Sequence, residues 1–315
     1  MKLDYINNIA IIGTGMIGAS MAVLFTGNGY RTTMLAINDR EAQAGFTRYD
    51  NYYKDLVEKK LVTQEQAKIC RKYLNVTQSY ADLASADFIL ECVVENLEVK
   101  HSVYRQIEES CKQFKALASS TSAISADDLC EGLADKERLA VAHPYNPPHL
   151  VPCIEIVQSS HTSAETLKII DEFFRSVGRE PVTMLKSAPG FIANRLQHAL
   201  FRESVYMVEE GIATPEAIDQ ALKTSFSPRY TSIGIFEHFD YAGLDMIVSI
   251  GDYLFPTLCN ADKTQDMIRK LYESGDLGFK TGKGVYDWSS KDADDFRKRS
   301  SEPYFRYFNW SLPTE

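Results

Sequence analysis

Short apolar or β-branched runs alternate with stretches of helical period through the first half of the chain, which predicts βαβ units around a mainly parallel sheet. The runs fall at 9–12, 32–35, 88–94, 117–120, 139–143, 154–157 and 181–185. Thr63 with Gln66, and Thr162 with Glu165, have the spacing of helix capping boxes. Gly178 stands where a glycine would end the helix begun after Thr162. The segment 40–76 is charged, tyrosine-rich and helical in pattern, longer than a plain crossover needs, and reads as a helical insertion.

After Ser187-Ala188-Pro189-Gly190 the strand pattern stops. Ile192, Leu196, Ala199, Leu200, Val205 and Val208 recur at helical steps, Gly211 can end that helix, and Thr214-Pro215 begins another. The fold class is therefore α/β: a Rossmann-type, doubly wound, mainly parallel sheet over 1–188, followed by an all-helical domain over 189–315.

Charge and cysteines narrow the partners. The chain of 315 residues carries a formal charge of −9 with 44% hydrophobic and 24% charged residues. Phosphate backbones repel such a chain, so no nucleic-acid partner is expected. No apolar run approaches the ~18 residues of a membrane span, so no membrane partner is expected either. Met1 to Asn8 does not have the character of a secretory signal. Six cysteines are scattered singly without a CxxC pair, which suits buried thiols in a reduced cytoplasm and gives no metal site.

Ile9-Ala10-Ile11-Ile12 runs straight into Gly13-Thr14-Gly15-Met16-Ile17-Gly18, a G-x-G-x-x-G between a predicted strand and a predicted helix. Gly13 permits the tight turn, Gly15 lets backbone approach a pyrophosphate, and Gly18 lets helix pack on strand. Met16 and Ile17 open the helix whose N-terminus faces the phosphates. A carboxylate ordinarily ends the second strand and holds the ribose of NAD, but here that position is Ala36. Asp39 can substitute from the following loop, or Arg40 can receive a 2′-phosphate and favour NADP. Plain loop polarity accounts for both equally well.

His143 ends a predicted strand, where an open α/β sheet presents ligands, and Glu155 interrupts the apolar run that follows. Pairing them would offset the cost of burying the carboxylate and orient the ring; the alternative places Glu155 on the solvent side of an edge strand. At this point the chain resembles the L-3-hydroxyacyl-CoA dehydrogenase superfamily. The resemblance rests on GTGMIG, ECVVENLEVK from Glu91, SSTSAI from Ser119, AHPYNPPHLVPCIEIV from Ala142, PGFIANRLQHAL from Pro189, FEHFDYAGLDM from Phe236 and KTGKGVYDW from Lys280. It implies catalytic roles for Ser122, His143, Glu155 and Asn194, and cofactor contacts for Glu95 and Lys100. It also implies a homodimer. Chemistry is consistent with those roles: oxidising a secondary alcohol needs a base near neutral pH, an orienting carboxylate can fix that base, and Ser122 and Asn194 would hydrogen-bond the reacting oxygen or the ring. Capping roles for Ser122 and Asn194 are the alternatives.

Within the superfamily, HPYNPPHLVP and Ser227-Pro228-Arg229-Tyr230 resemble the branch containing L-gulonate 3-dehydrogenase and lambda-crystallin. Arg229 can grip a substrate carboxylate that a thioester would not offer. The expected reaction is NAD(P)-dependent interconversion of a small 3-hydroxy acid, sugar-acid-like as L-gulonate is, with its 3-keto acid. A 3-hydroxyacyl-CoA dehydrogenase is the first alternative and a non-catalytic dinucleotide-binding or structural protein the second.

Overall fold

An apolar strand without polar alternation needs cover on both faces. In the computed structural model, which describes residues 2–314, the first such run becomes an interior strand of an eight-stranded sheet. The strands are β1 (Asn8–Ile12), β2 (Arg31–Leu35), β3 (Leu74–Thr77), β4 (Phe88–Glu91), β5 (Ala116–Ser119), β6 (Leu139–Pro144), β7 (Cys153–Val157) and β8 (Glu180–Met184), in spatial order β3-β2-β1-β4-β5-β6-β7-β8. All pairings are parallel except β6 with β7. The chain winds outward from β1 in both directions, so the C-terminal end of β1 is a topological switch point.

Strand alternation sends successive β1 residues to opposite layers. Ile9 and Ile11 join one core with Phe25, Phe88, Phe173 and Phe174, supplied in part by α1 (Met16–Gly27) and a later helix, Ala164–Ser176. Ala10 and Ile12 join the other with Val103, Tyr104, Ile107 and Leu129. Between β2 and β3 lie α2 (Asp39–Glu58) and α3 (Gln64–Arg71), the latter opened by the full Thr63–Gln66 capping box.

Three local expectations need correction. The helical insertion at 40–76 ends in β3, whose Leu-Asn-Val-Thr sequence is short and half polar because it forms the sheet edge. The strand expected over 88–94 stops at Glu91, since Cys92 turns over Gly13. The helix Ala164–Ser176 is capped by Ser163, which accepts from the Thr166 amide. Thr162 instead donates to the Leu139 carbonyl and holds the Ser159 amide. Gly178 does end that helix, at φ 71°.

The chain forms two units, one running to Ile192 and resuming at Arg297, the other Ala193–Phe296. The tail from Arg297 thus departs from the helical domain expected over 189–315. Its aromatic residues find a core to cover: Phe305, Phe308 and Trp310 pack on the first unit's Phe25–Phe173 layer, and a Cβ on Gly27 would lie 2.4 Å from the Trp310 ring. The second unit contains helices Ala193–Glu209, Pro215–Thr224, Ile235–Ala242, Leu244–Leu254 and Asp266–Glu273, with Thr214 capping the second of them as expected. No helix among the described residues is long and apolar enough to cross a membrane.

Candidate active site

The glycine turn lies at the switch point, and each glycine answers a different demand. Gly13 has φ 116°, and a Cβ there would lie 2.6 Å from the Cys92 carbonyl oxygen. A Cβ on Gly18 would lie 2.2 Å from the Gly13 carbonyl. Gly15 meets nothing within 4 Å, which leaves open space where a ligand's backbone would pass. It caps α1 on the N-terminal side, so the amides of Met16 and Ile17 lie in the turn that has no intrahelical acceptor. A cleft of about 600 Å³ opens from Gly13 and Gly15 past Ala36 and Ile37 to Tyr80 and Val99. Amide donors at one end and an apolar slot at the other fit a dinucleotide. Asp39 accepts from Gln78 Nε2 at 2.5 Å, and neither Asp39 nor Arg40 lines the cleft.

Beside the turn lies a buried ion pair that sequence reasoning left unassigned. Glu91, the last residue of β4, accepts from Lys100 Nζ at 2.7 and 2.9 Å, Tyr104 Oη at 2.9 Å, Ser119 Oγ at 2.7 Å and the Val93 amide at 2.8 Å. The signal was present: a carboxylate closing a wholly apolar strand, with a lysine on the next helix, Leu97–Ser110. Lys100 is buried and also lies 3.4 Å from Glu95 Oε2. Glu95 in turn accepts through Oε1 from the Thr121 hydroxyl, the Ser122 amide at 3.1 Å and the Ala123 amide at 3.2 Å. Burial pushes the Glu95 carboxyl up, but Thr121, Lys100 and the Ser122 amide more than offset it and hold the group below the ordinary carboxylate range. Glu95 and Lys100 therefore brace the turn that carries the exposed Ser122 at the C-terminal end of β5.

His143 and Glu155 are directly opposed across the antiparallel β6–β7 pair. Opposed residues point to the same face, so the register alone brings them together. Nδ1 of His143 donates to Glu155 Oε2 at 3.1 Å, with the two residues 5% and 1% exposed. Two donors escaped sequence reasoning: Tyr145 Oη to Glu155 Oε2 at 2.8 Å, and the Ile192 amide to Glu155 Oε1 at 2.8 Å. Tyr145 and Phe191 set their rings at 5.0 and 5.3 Å from the imidazole, and Phe191 holds φ 49°, a left-handed conformation that bulky residues seldom adopt. Asn194 and Arg229 belong to the second unit. Asn194 stands in the first turn of the helix Ala193–Glu209, and exposed Arg229 has Nη1 3.5 Å from His238 Nε2.

A second histidine serves the scaffold. His149 Nδ1 shares a hydrogen bond with Ser20 Oγ at 2.7 Å, and the His149 amide donates to the same oxygen at 3.1 Å, tying the segment after His143 to α1. Burial, then the Arg179 and Lys59 charges, push its pKa down from 6.5 to about 3. The unfolded chain therefore binds more protons than the native one between those values, so stability is complete above pH 6.5 and is lost as pH falls toward 3, by at most about 1.4 kcal/mol per pH unit. Urea titrations at pH 5 and pH 7.5 are expected to differ less for His149→Gln than for the parent; an unchanged difference would assign the acid sensitivity elsewhere.

A switch-point glycine turn and a buried histidine–carboxylate pair in one unit are features that a Rossmann-fold, nicotinamide-dependent oxidoreductase requires. Residues 8–188 match the family model for the 3-hydroxyacyl-CoA dehydrogenase NAD binding domain, and residues 190–288 match the one for its C-terminal domain; the chain belongs to the 3-hydroxyacyl-CoA dehydrogenase family. A probable 3-hydroxyacyl-CoA dehydrogenase of Caenorhabditis elegans is 32% identical over 91% of this chain and 97% of its own. Rabbit (Oryctolagus cuniculus) lambda-crystallin is 31% identical over 75% of this chain and 76% of its own. The crystal structure of 5-formyl-3-hydroxy-2-methylpyridine 4-carboxylic acid 5-dehydrogenase, an NAD+-dependent dismutase, superposes with a TM-score of 0.84 at 28% identity, covering 96% of this chain and 97% of that one. The cofactor is NAD, and the chain is an oxidoreductase of this family.

Proposed function

We propose that the protein interconverts a small 3-hydroxy acid, sugar-acid-like as L-gulonate is, with its 3-keto acid. The buried His143–Glu155 pair is the observation that carries this reading. With Nδ1–H committed to Glu155, Nε2 keeps its lone pair and takes the hydroxyl proton of the substrate. Bound NAD supplies the acceptor for the hydride leaving the same carbon. Glu155 stabilises the imidazolium that forms, and Tyr145 with the Ile192 amide keeps the carboxylate from turning away. Ser122, in the turn braced by Glu95, and Asn194 are assigned to hydrogen-bond the reacting oxygen. Gly13, Gly15, Met16, Ile17 and Gly18 hold the pyrophosphate.

The free carboxylate is assigned to Arg229. Its planar guanidinium is suited to bidentate recognition, and the dismutase that superposes on this chain acts on a carboxylic acid. Arg229→Met is expected to raise KM for the free keto acid at least about tenfold with little change in kcat, since a charged hydrogen-bonded contact contributes on the order of 1.5–3 kcal/mol. The second reading is turnover of a 3-hydroxyacyl-CoA, favoured by the family model and the C. elegans relative. NADH oxidation with 3-keto acids, free and CoA-linked, separates the two: turnover confined to acetoacetyl-CoA and indifferent to Arg229→Met would establish the second.

A cytoplasmic homodimer completes the proposal. The six cysteines form no disulfide, and burial pushes the Cys111 and Cys153 thiols up to about 11. The second unit leaves Leu196, Leu200, Phe236, Tyr241, Tyr253 and Phe255 exposed, large apolar side chains that a second copy could cover. Sedimentation equilibrium giving a monomer at micromolar concentration would remove the dimer.

A further inference from the structure

The chain uses NAD although Ala36 stands where the second strand would present its acid, so another group must read the adenosine ribose. Ala36 does line the cleft, at the end of β2, but offers it only a methyl group. Asp39 is held by Gln78, and with Arg40 it lies off the cleft. Among the described residues, the carboxylate that lines the cleft is Glu41, in the first turn of α2.

Glu41 is fixed to the glycine turn from several directions. Its amide donates to the cap Asn38 Oδ1 at 2.9 Å, and its carbonyl accepts from Thr14 Oγ1 at 2.9 Å. Its carboxylate lies 3.6 Å from Arg48, whose Nη1 donates to the Thr14 carbonyl at 3.0 Å. Gly45 lets α2 come so close that a Cβ there would lie 2.7 Å from the Thr14 Cβ. Thr14 is thus shared between the phosphate turn and the helix that presents Glu41. The Glu41 and Arg48 side chains are 37% and 38% exposed, so both can meet a ligand.

We infer that Glu41 is the ribose-reading residue and sets the preference for NAD over NADP. Its carboxylate accepts from the ribose hydroxyls and repels a 2′-phosphate. Arg48 balances the charge that Glu41 would otherwise place beside the pyrophosphate. Removing the carboxylate would leave Arg48 as a phosphate partner, so the same substitution that weakens NADH should admit NADPH.

The test is equilibrium binding of NADH and NADPH to the full chain by fluorescence titration, with ADP-ribose and its 2′-phosphate as non-reacting probes. It is independent of which acid is the substrate. Glu41→Gln is expected to weaken NADH and ADP-ribose at least about tenfold, the loss expected of a hydrogen bond to a charged group, and to reduce discrimination against the 2′-phosphate forms. Asp39→Asn should change neither. Glu41→Lys should invert the preference, and adding Ala36→Asp to Glu41→Gln should restore NADH binding from the ordinary position. The bonds that hold the Glu41 backbone survive all of these changes. An unchanged NADH-to-NADPH ratio in Glu41→Gln and Glu41→Lys, or a loss that appears in Asp39→Asn instead, would overturn the assignment.

Discussion

Replacing His143 by glutamine is expected to slow hydride transfer about 10²- to 10⁴-fold, the contribution usual for a positioned general base, while NADH binds as before. Glutamine keeps a polar group of similar reach but has no site that takes a proton at neutral pH. The ring is nearly inaccessible at 5% exposure, and Glu155 occupies Nδ1, so the chemistry is confined to Nε2. His143 is absent from the lining of the dinucleotide cleft, which is why binding and chemistry should separate. Single-turnover measurement of nicotinamide absorbance after mixing a preformed NADH complex with keto acid isolates the chemical step. A rate equal to that of the parent protein would mean that another group delivers the proton to the carbonyl oxygen in this direction and removes it in the other.

Much of this arrangement is legible in the sequence because its signals are local. The run Ile9 to Ile12 against Gly13-x-Gly15-x-x-Gly18 needs only a few residues to specify strand, turn and helix, and the Thr63–Gln66 box is complete within one turn. His143 and Glu155 are legible for a related reason, since each places a polar group in a strand otherwise apolar. What escapes depends on tertiary contacts. Edge strand β3 reads as part of a polar insertion because only its pairing with β2 makes it a strand. Thr162 and Ser163 are equally good caps until the Leu139 carbonyl claims the threonine. The Ile192 amide cannot be read at all, as a backbone group has no letter of its own. Ala36 shows that the ribose contact has moved; only the packing of α2 on Thr14 shows that Glu41 is the side chain facing the cleft.

Two buried carboxylates illustrate how one signal supports different roles. Glu91 and Glu155 both lie in otherwise apolar strands and both gather several donors. Glu91 pairs with the Lys100 ammonium group, and the pair serves to hold the Ser122 turn through Glu95. Glu155 meets a histidine instead, through Nδ1. A carboxylate on Nδ1 fixes the orientation of the ring and leaves Nε2 to face a substrate, the part an orienting carboxylate plays in a catalytic triad.

Glu155→Gln should expose that difference with a loss of about 10²- to 10⁴-fold in kcat, the upper end being the effect known for amide replacement of the orienting carboxylate in a serine-protease triad. The physical cause is a shortage of acceptors. At least three donors converge on the carboxylate, His143 and Tyr145 on Oε2 and the Ile192 amide on Oε1. An amide has one oxygen and one NH2. If its oxygen stays on His143 and Tyr145, the NH2 faces the Ile192 N–H and a buried donor goes unpaired, costing about 1–3 kcal/mol of stability. If the oxygen turns to Ile192, the NH2 faces Nδ1 and drives the ring proton to Nε2, the position that must be empty to accept the substrate proton. Nitrogen-15 chemical shifts of His143 report the tautomer directly, and thermal melting reports the first outcome. Activity should fall in step with the Nε2–H population, with NADH affinity preserved. A variant that keeps the Nδ1–H tautomer, melts as the parent does and retains full kcat would leave Glu155 with no part in orienting the base.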